Sequence, residues 1–102
     1  MNLFQFNASI AVARMKYRNR TEIICQILEA ANYHEGINKT KLMYKAFLSH
    51  DPLEGYVKIL TESGLLRYDS VTRTYTTSEK GVRFLNLYNK IGELMKEEQQ
   101  QI

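Results

Sequence analysis

The chain of 102 residues lacks tryptophan and contains one cysteine, one proline and two histidines. A single cysteine, Cys25, permits no internal disulfide, which fits a reducing compartment. The histidines, His34 and His50, stand apart in the chain, and no cysteine–histidine spacing typical of a zinc site occurs. We therefore predict neither a metal site nor a cofactor.

Motifs that carry catalysis are missing as well. The sequence contains no glycine-rich phosphate loop and no nucleophile elbow. Cys25 lies within a helical pattern and has no accompanying set of His and Asp partners, so we interpret it as a buried, inert thiol. We expect that this chain is not an enzyme, and we assign no catalytic residue.

Long hydrophobic runs are also lacking, since no apolar run approaches the roughly 20 residues of a membrane span. The apolar segment 8–13 is too short, and no basic region precedes it, so we expect no signal peptide. A hydrophobic content of 44% and a charged content of 25% are ordinary for a globular protein. The length predicts one domain.

Positive charge is modest in total and clustered in position. The net charge is +3, with four basic against two acidic residues in the range 65–83. Four basic residues also precede the first acidic residue, Glu22, and these are Arg14, Lys16, Arg18 and Arg20. Such clustering favours a polyanionic partner. The alternative is a solvated basic surface that only aids solubility.

Three successive segments show the apolar spacing of amphipathic helices. The spacing predicts a first helix over 21–33, ended by Gly36, and a second over 39–47, capped by Asn38. A third helix follows Ser49, a good N-cap, and closes at Gly64. The residues expected to face the core are Ile24, Ile27, Leu28 and Ala31, then Leu42, Met43, Ala46 and Phe47, then Leu53, Tyr56, Val57 and Leu60.

A short hairpin is predicted next, with strands over 65–68 and 73–76 around a turn at 69–72. Helices followed by such a hairpin outline a winged helix-turn-helix, a fold that is mainly α with a small β-hairpin. We divide the chain into an N-terminal arm (1–18), the winged helix-turn-helix domain (19–77) and a C-terminal dimerisation helix (78–102).

The last helix is predicted to start after Ser78 and to run to about Glu98, a length of roughly 30 Å. Apolar residues follow heptad steps along it through Ile102, and further apolar residues lie beside this seam. Pairing with a second copy would cover this surface. The alternative is a single amphipathic helix folded back over its own domain. The predicted dimerisation residues are Phe84, Leu87, Tyr88, Ile91, Leu94 and Met95.

In a helix-turn-helix, the third helix enters the major groove of DNA by its N-terminal end. Here that end is not strongly basic, because Asp51 and Glu54 would repel phosphates, although an acid can accept a hydrogen bond from cytosine. Gly55 would permit close approach of the backbone. We therefore expect phosphate contacts from elsewhere to dominate affinity. The predicted contacts are Lys16, Arg18 and Arg20 of the arm, Lys39, Lys41 and Lys45 of the second helix, His50 and Lys58 of the third, and Arg67 and Arg73 of the wing.

In the segments 20–30, 40–49, 56–60, 64–66 and 79–81, and at Tyr75, the chain resembles the small archaeal winged-helix proteins. These are the ArnR-like regulators and related chromatin-type dimers that pair through a C-terminal antiparallel coiled coil. The resemblance covers residues 16–98, and the block 40–49, TKLMYKAFLS, is its most specific part. It implies an archaeal, cytoplasmic, homodimeric DNA-binding protein in which Thr40, Lys41, Ser49 and Lys58 lie near DNA. The sequence departs from these relatives in its His50-Asp51-Pro52 opening of the third helix and in a shorter last helix.

The leading hypothesis is a homodimeric transcription regulator or chromatin-associated factor that binds double-stranded DNA and no membrane. The rival is a winged-helix module that binds another protein and no DNA. A third hypothesis is a ligand-sensing regulator with a pocket lined by Tyr44, Tyr56 and Phe84. We prefer the simpler interpretation that these aromatic residues belong to the core. Met15 is a hypothetical alternative translation start.

Overall fold

The computed structural model describes residues 18–101, with side chains described for 18–96. The arm over 1–17, with Met15 and Lys16, and the last heptad residue, Ile102, lie outside this range. Within it, the predicted fold class is confirmed: the chain is mainly helical, with a small antiparallel sheet and a long last helix. The elements are α1 (Arg20–Ala31), β1 (Ile37–Asn38), α2 (Lys39–Ala46), α3 (His50–Glu62), β2 (Leu66–Asp69), β3 (Thr74–Thr77) and α4 (Glu79–Gln101).

Asparagine side chains begin the first two helices. The Asn19 carboxamide oxygen accepts a hydrogen bond from the Glu22 amide at 2.8 Å. Asn38, predicted as a cap, does the same for the Lys41 amide at 2.9 Å. Each bond satisfies an amide that has no partner within its helix. Ser49 stands at the N-cap of α3 as predicted, but its side chain makes no capping bond.

The sheet has three strands in the order β1-β3-β2, and the sequence predicted two. Ile37 of β1 lies opposite Tyr75 of β3, and on the other side of β3 Tyr68 also lies opposite Tyr75. Strand β1 was missed because two residues cannot show an alternating pattern. Arg73 was expected in a strand, but it lies in the 70–73 loop with a left-handed backbone (φ 55°).

The core lies between the first three helices, the sheet and the first half of α4. Its largest fully buried side chains are Ile27, Leu28, Leu42, Leu53 and Leu60. Cys25 is buried, as interpreted from the sequence, and burial raises the pKa of its thiol to about 11.

Helices α2 and α3 end with the same hydrogen-bond pattern but on different residues. In α2 the Leu48 amide bonds to the Met43 carbonyl at 3.0 Å, and in α3 the Leu65 amide bonds to the Leu60 carbonyl at 2.8 Å. The left-handed residue of this pattern is Gly64 in α3 but Phe47 in α2. The expectation that Phe47 faces the core is wrong, because the helix ends at Ala46 and Phe47 turns outward.

Helix α4 is anchored at its start and exposed further on. Leu85 is buried, while Phe84 and Tyr88 pack partly buried against the core. Beyond Tyr88, residues 89–96 are all exposed. Within residues 18–101, no helix combines the length and the apolar content needed to cross a lipid bilayer.

Candidate nucleic-acid interface

Helix α3 presents a mixed surface to solvent. Leu53, Val57 and Leu60 point into the core, so the opposite side of the helix is outward. Its exposed residues include both acids and bases, and they are His50, Asp51, Pro52, Gly55, Lys58, Ile59 and Glu62. A Cβ added at Gly55 would meet nothing within 4 Å, so another backbone can approach this point closely.

Lys39, the first residue of α2, forms an ion pair with Glu54 in the second turn of α3. The hydrogen bond from the Lys39 ammonium holds the pKa of the Glu54 carboxyl below its usual value. The same bond raises the pKa of Lys39. The imidazole of His50 adds to the cluster, with Nε2 3.7 Å from Glu54 Oε1 and Nδ1 3.1 Å from Asp51 Oδ1.

This ion pair changes the roles that the sequence predicted for Lys39 and Glu54. Lys39 was expected to contact phosphate, but its charge is already engaged by Glu54. Glu54 was expected to repel phosphate, but its charge is compensated by Lys39. The sequence did not reveal the pair because its members are fifteen residues apart on different helices.

Arg18, predicted as a DNA contact of the arm, is held by the protein itself. One guanidinium nitrogen donates to the Gln26 side chain, and the other, Nη2, donates to the Phe47 carbonyl at 2.7 Å. Partial burial lowers the pKa of Arg18, while Tyr56 and Glu22 oppose that shift. Arg18 thus ties α1 to the end of α2, at the point where the described chain begins.

Several predicted cationic contacts remain exposed and form no ion pair among the described residues. Lys45 contacts an aromatic residue instead, because its ammonium lies 4.5 Å from the centre of the Tyr33 ring and 3.5 Å from the Tyr33 hydroxyl. The side chains of the others make no polar contact with another described residue: Lys41 of α2, Lys58 of α3, Arg67 of β2, Arg73 of the wing loop, and Arg20 of α1.

The wing is a short hairpin with an ordered turn. The Asp69 carboxylate accepts hydrogen bonds from the Val71 amide at 2.8 Å and the Thr72 amide at 3.3 Å. The rings of Tyr68 and Tyr75 pack across the strands, with centroids 4.7 Å apart. Both features fix the loop that carries Arg73.

The predicted dimerisation residues fall into two groups. Phe84 and Tyr88 pack partly against the core of their own domain. The remaining four are each more than half exposed: Leu87 at 62%, Ile91 at 52%, Leu94 at 55% and Met95 at 54%. Apolar surface therefore continues along α4 after the domain ends.

The three aromatics suggested for a ligand pocket do not meet in one. Tyr56 and Phe84 pack against the core, while Tyr44 is 77% exposed on the outer side of α2. The described residues contain no group of three His, Cys, Asp or Glu side chains that could hold a metal ion.

Comparisons with known proteins agree with this architecture. A family model described as winged helix-turn-helix matches residues 17–96. Among solved structures, the chain is similar to Sso10a-2, a DNA-binding protein from Sulfolobus solfataricus, with a TM-score of 0.63 and 22% identity over 82% of this chain and 92% of that one. A search of curated proteins found no match.

Proposed function

Because the chain belongs to the winged helix-turn-helix family, we propose that it binds double-stranded DNA through α3 and the wing and catalyses no reaction. The observation that carries this proposal is the set of exposed cations on α2, α3 and the wing that form no ion pair with a described residue. A solved protein of similar fold, Sso10a-2, is itself DNA-binding. In this proposal α3 enters the major groove and the β2–β3 loop lies alongside it.

Phosphate contacts supply most of the affinity. Lys41, Lys58 and Arg73 are exposed cations that have no acidic partner among residues 18–96, so no ion pair there must break before they meet phosphates. The opening of α3 supplies little, because Asp51 is exposed and Glu54 is paired with Lys39. Binding of this kind is strongly salt-dependent and weakly sequence-dependent.

The chain acts as a homodimer through the exposed apolar face of α4 between Leu87 and Met95. Leu87, Ile91 and Leu94 lie at helical spacing on an exposed apolar face, which the described part of the domain does not cover. Antiparallel pairing of two such helices would bury both faces and fix the distance between two wings. This assembly is the one implied by the resemblance to small archaeal regulators and chromatin-type dimers.

Fluorescence anisotropy with labelled duplexes of random and promoter sequence tests the DNA-binding proposal. At 50 mM salt we expect binding to both, with Kd rising steeply as salt increases. Lys41→Glu and Arg73→Glu should each reduce the slope of log Kd against log salt by about 1. Lys96→Glu makes the same charge change on the exposed side of α4 away from the apolar face, so it is the matched control.

No binding to either duplex at 50 mM salt would contradict the proposal. Equal losses for Lys41→Glu and Lys96→Glu would show a response to net charge alone. That absence of binding would support the rival protein-interaction module, whereas DNA binding that is unaffected by the reversals on α2 and the wing would mean that another surface contacts DNA. Crosslinking and sequencing of bound genomic DNA then separates a regulator, which gives discrete peaks, from a chromatin factor, which gives a smooth coat.

A further inference from the structure

The described chain begins beside an exposed aromatic surface. The Arg18 guanidinium donates to the Phe47 carbonyl at 2.7 Å and to the Gln26 side chain. These bonds fix the place where the preceding segment, residues 1–17, joins the domain. Phe47 itself lies between two open grooves and lines both of them.

The first groove lies along α2, and the second lies between α1 and the end of α2. The first has a volume of about 420 Å³ and is lined by Thr40, Met43, Tyr44, Phe47 and Leu48. The second has a volume of about 390 Å³ and is lined by Gln26, Glu29, Ala30, Tyr33, Lys45 and Phe47. Three aromatic side chains are unusually exposed here: Tyr33 at 50%, Tyr44 at 77% and Phe47 at 54%.

Phe47 occupies a backbone position that normally favours glycine. Its φ of 54° is left-handed, a conformation that costs a residue with a Cβ roughly 1–2 kcal/mol. The equivalent position at the end of α3 is Gly64, which adopts a φ of 78° without that cost. A phenylalanine that is both strained and half exposed gains nothing from the domain core, so a contact outside the core would explain it.

We propose that the N-terminal segment 1–17 docks on this surface, with Phe4 and Phe6 in the groove beside Tyr44 and Phe47. Eleven residues, 7–17, separate Phe6 from the Arg18 anchor, which gives a reach of up to about 36 Å. The segment contains Arg14 and Lys16 but no acid, and the second groove carries the exposed carboxylate of Glu29. The winged helix-turn-helix match starts at residue 17, so this contact would be an addition to the family domain.

Paramagnetic relaxation in the full chain tests the contact directly. A nitroxide is attached at Gln5→Cys in a Cys25→Ala background, which removes the only native thiol. We expect the amide signals of Tyr44, Phe47 and Leu48 to broaden, and that of Val71 in the wing to stay sharp. Adding Phe4→Ser and Phe6→Ser should restore the signals of α2. No broadening in α2 would overturn the proposal.

Mixing identifies the source of any broadening. Chain that carries the nitroxide but no ¹⁵N is mixed with chain that carries ¹⁵N but no nitroxide. If the segment docks within its own chain, the ¹⁵N signals stay sharp. Broadening at α2 in this mixture would mean that a second copy supplies the segment, which overturns docking in the same chain.

A stability comparison gives an independent readout. If the segment covers Phe47, Phe47→Gly should lower the melting temperature in the native background. In the Phe4→Ser, Phe6→Ser background the same change should raise it, because strain is relieved and no contact is lost. A rise of equal size in both backgrounds would contradict docking. Val71→Ser, at a 90% exposed apolar residue of the wing, is the control and should act alike in both.

Discussion

Gly55 and Gly81 both lie in helices, but what surrounds them differs. At Gly55 an added Cβ would meet nothing within 4 Å. At Gly81 it would lie 2.5 Å from the Leu65 carbonyl oxygen and 2.5 Å from the Thr77 methyl. The first glycine therefore weakens its helix without a packing reason, whereas the second allows α4 to start close to the end of α3.

The same substitution should act with opposite signs at these two residues. Gly55→Ala should raise the free energy of unfolding by roughly 0.5–1 kcal/mol through helix propensity. Gly81→Ala should lower it by roughly 1–3 kcal/mol through overpacking. Urea denaturation measures both values. Destabilisation by Gly55→Ala would show that its position is more crowded than the geometry indicates. If DNA approaches α3 at Gly55, this more stable variant should also bind DNA more weakly.

The Lys39–Glu54 pair predicts a pH dependence of defined sign. Because the folded-state pKa of Glu54 is lowered, the stabilisation is present above the unfolded value, about 4.3, and is lost as pH falls through the folded value. Lys39→Met should return the pKa of Glu54 towards its usual range in a carboxyl NMR titration. Lys41→Met, which removes an exposed lysine without a partner, should leave it unchanged. Equal shifts in the two variants would contradict specific pairing.

Releasing Lys39 should also change DNA binding. Glu54→Gln removes the acid and leaves the lysine at the start of α2 free for phosphate. We expect tighter binding and a steeper salt dependence than in the native chain, measured by anisotropy. An unchanged salt slope would mean that Lys39 does not reach DNA even when free.

At the scale of elements, local patterns were sufficient for the helices. The apolar spacing of α1, α2 and α3 placed their inward faces correctly except at Phe47, where the chain turns left-handed after Ala46. Strand β1 was missed because its partner, β3, lies far along the sequence and its length is two residues. The contacts of Lys39 with Glu54 and of Arg18 with Phe47 were missed because each joins residues that are far apart in the sequence and meet only in the folded chain.

Ser78 connects the end of α3 to the start of α4. Its hydroxyl lies 2.5 Å from the Gly64 carbonyl and 3.1 Å from the Leu65 carbonyl, and its Oγ accepts from the Gly81 amide at 3.1 Å. The residue is buried. Ser78→Ala would remove the hydroxyl partner of the Gly64 carbonyl and of the Gly81 amide, while the Leu65 carbonyl keeps its bond from the Ser78 amide. We therefore expect a loss of about 1–2 kcal/mol in the free energy of unfolding.

Ser70→Ala is the matched control for this connection, because Ser70 is exposed in the wing loop. Its free energy of unfolding should change by less than about 0.5 kcal/mol, as is usual for exposed positions. Similar losses in the two variants would show that the Ser78 hydroxyl is not what holds α4 in place.

At the scale of the whole molecule, the cations and the apolar face belong to different parts of the chain. The cations of α2, α3 and the wing that form no ion pair with a described residue lie on the winged domain, whereas the exposed apolar residues of α4 lie between Leu87 and Met95. Under the proposed function, this division would let one surface meet DNA while the other pairs two copies. The heptad pattern showed the apolar face, but sequence alone did not show that Phe84 and Tyr88 are partly used by their own core.

Polar substitutions on the exposed apolar face of α4 should therefore prevent dimerisation without unfolding the winged domain. Ile91→Asn with Leu94→Asn should leave the thermal unfolding of the winged domain almost unchanged, while the mass measured by light scattering halves. DNA affinity should fall by on the order of 10²-fold or more, because two linked binding units gain from effective concentration and single units do not. Asn89→Ala, on the far side of α4, should change neither mass nor affinity. A native chain that stays monomeric at high concentration, or a double variant that keeps its affinity after monomerising, would show that DNA binding does not depend on pairing through α4.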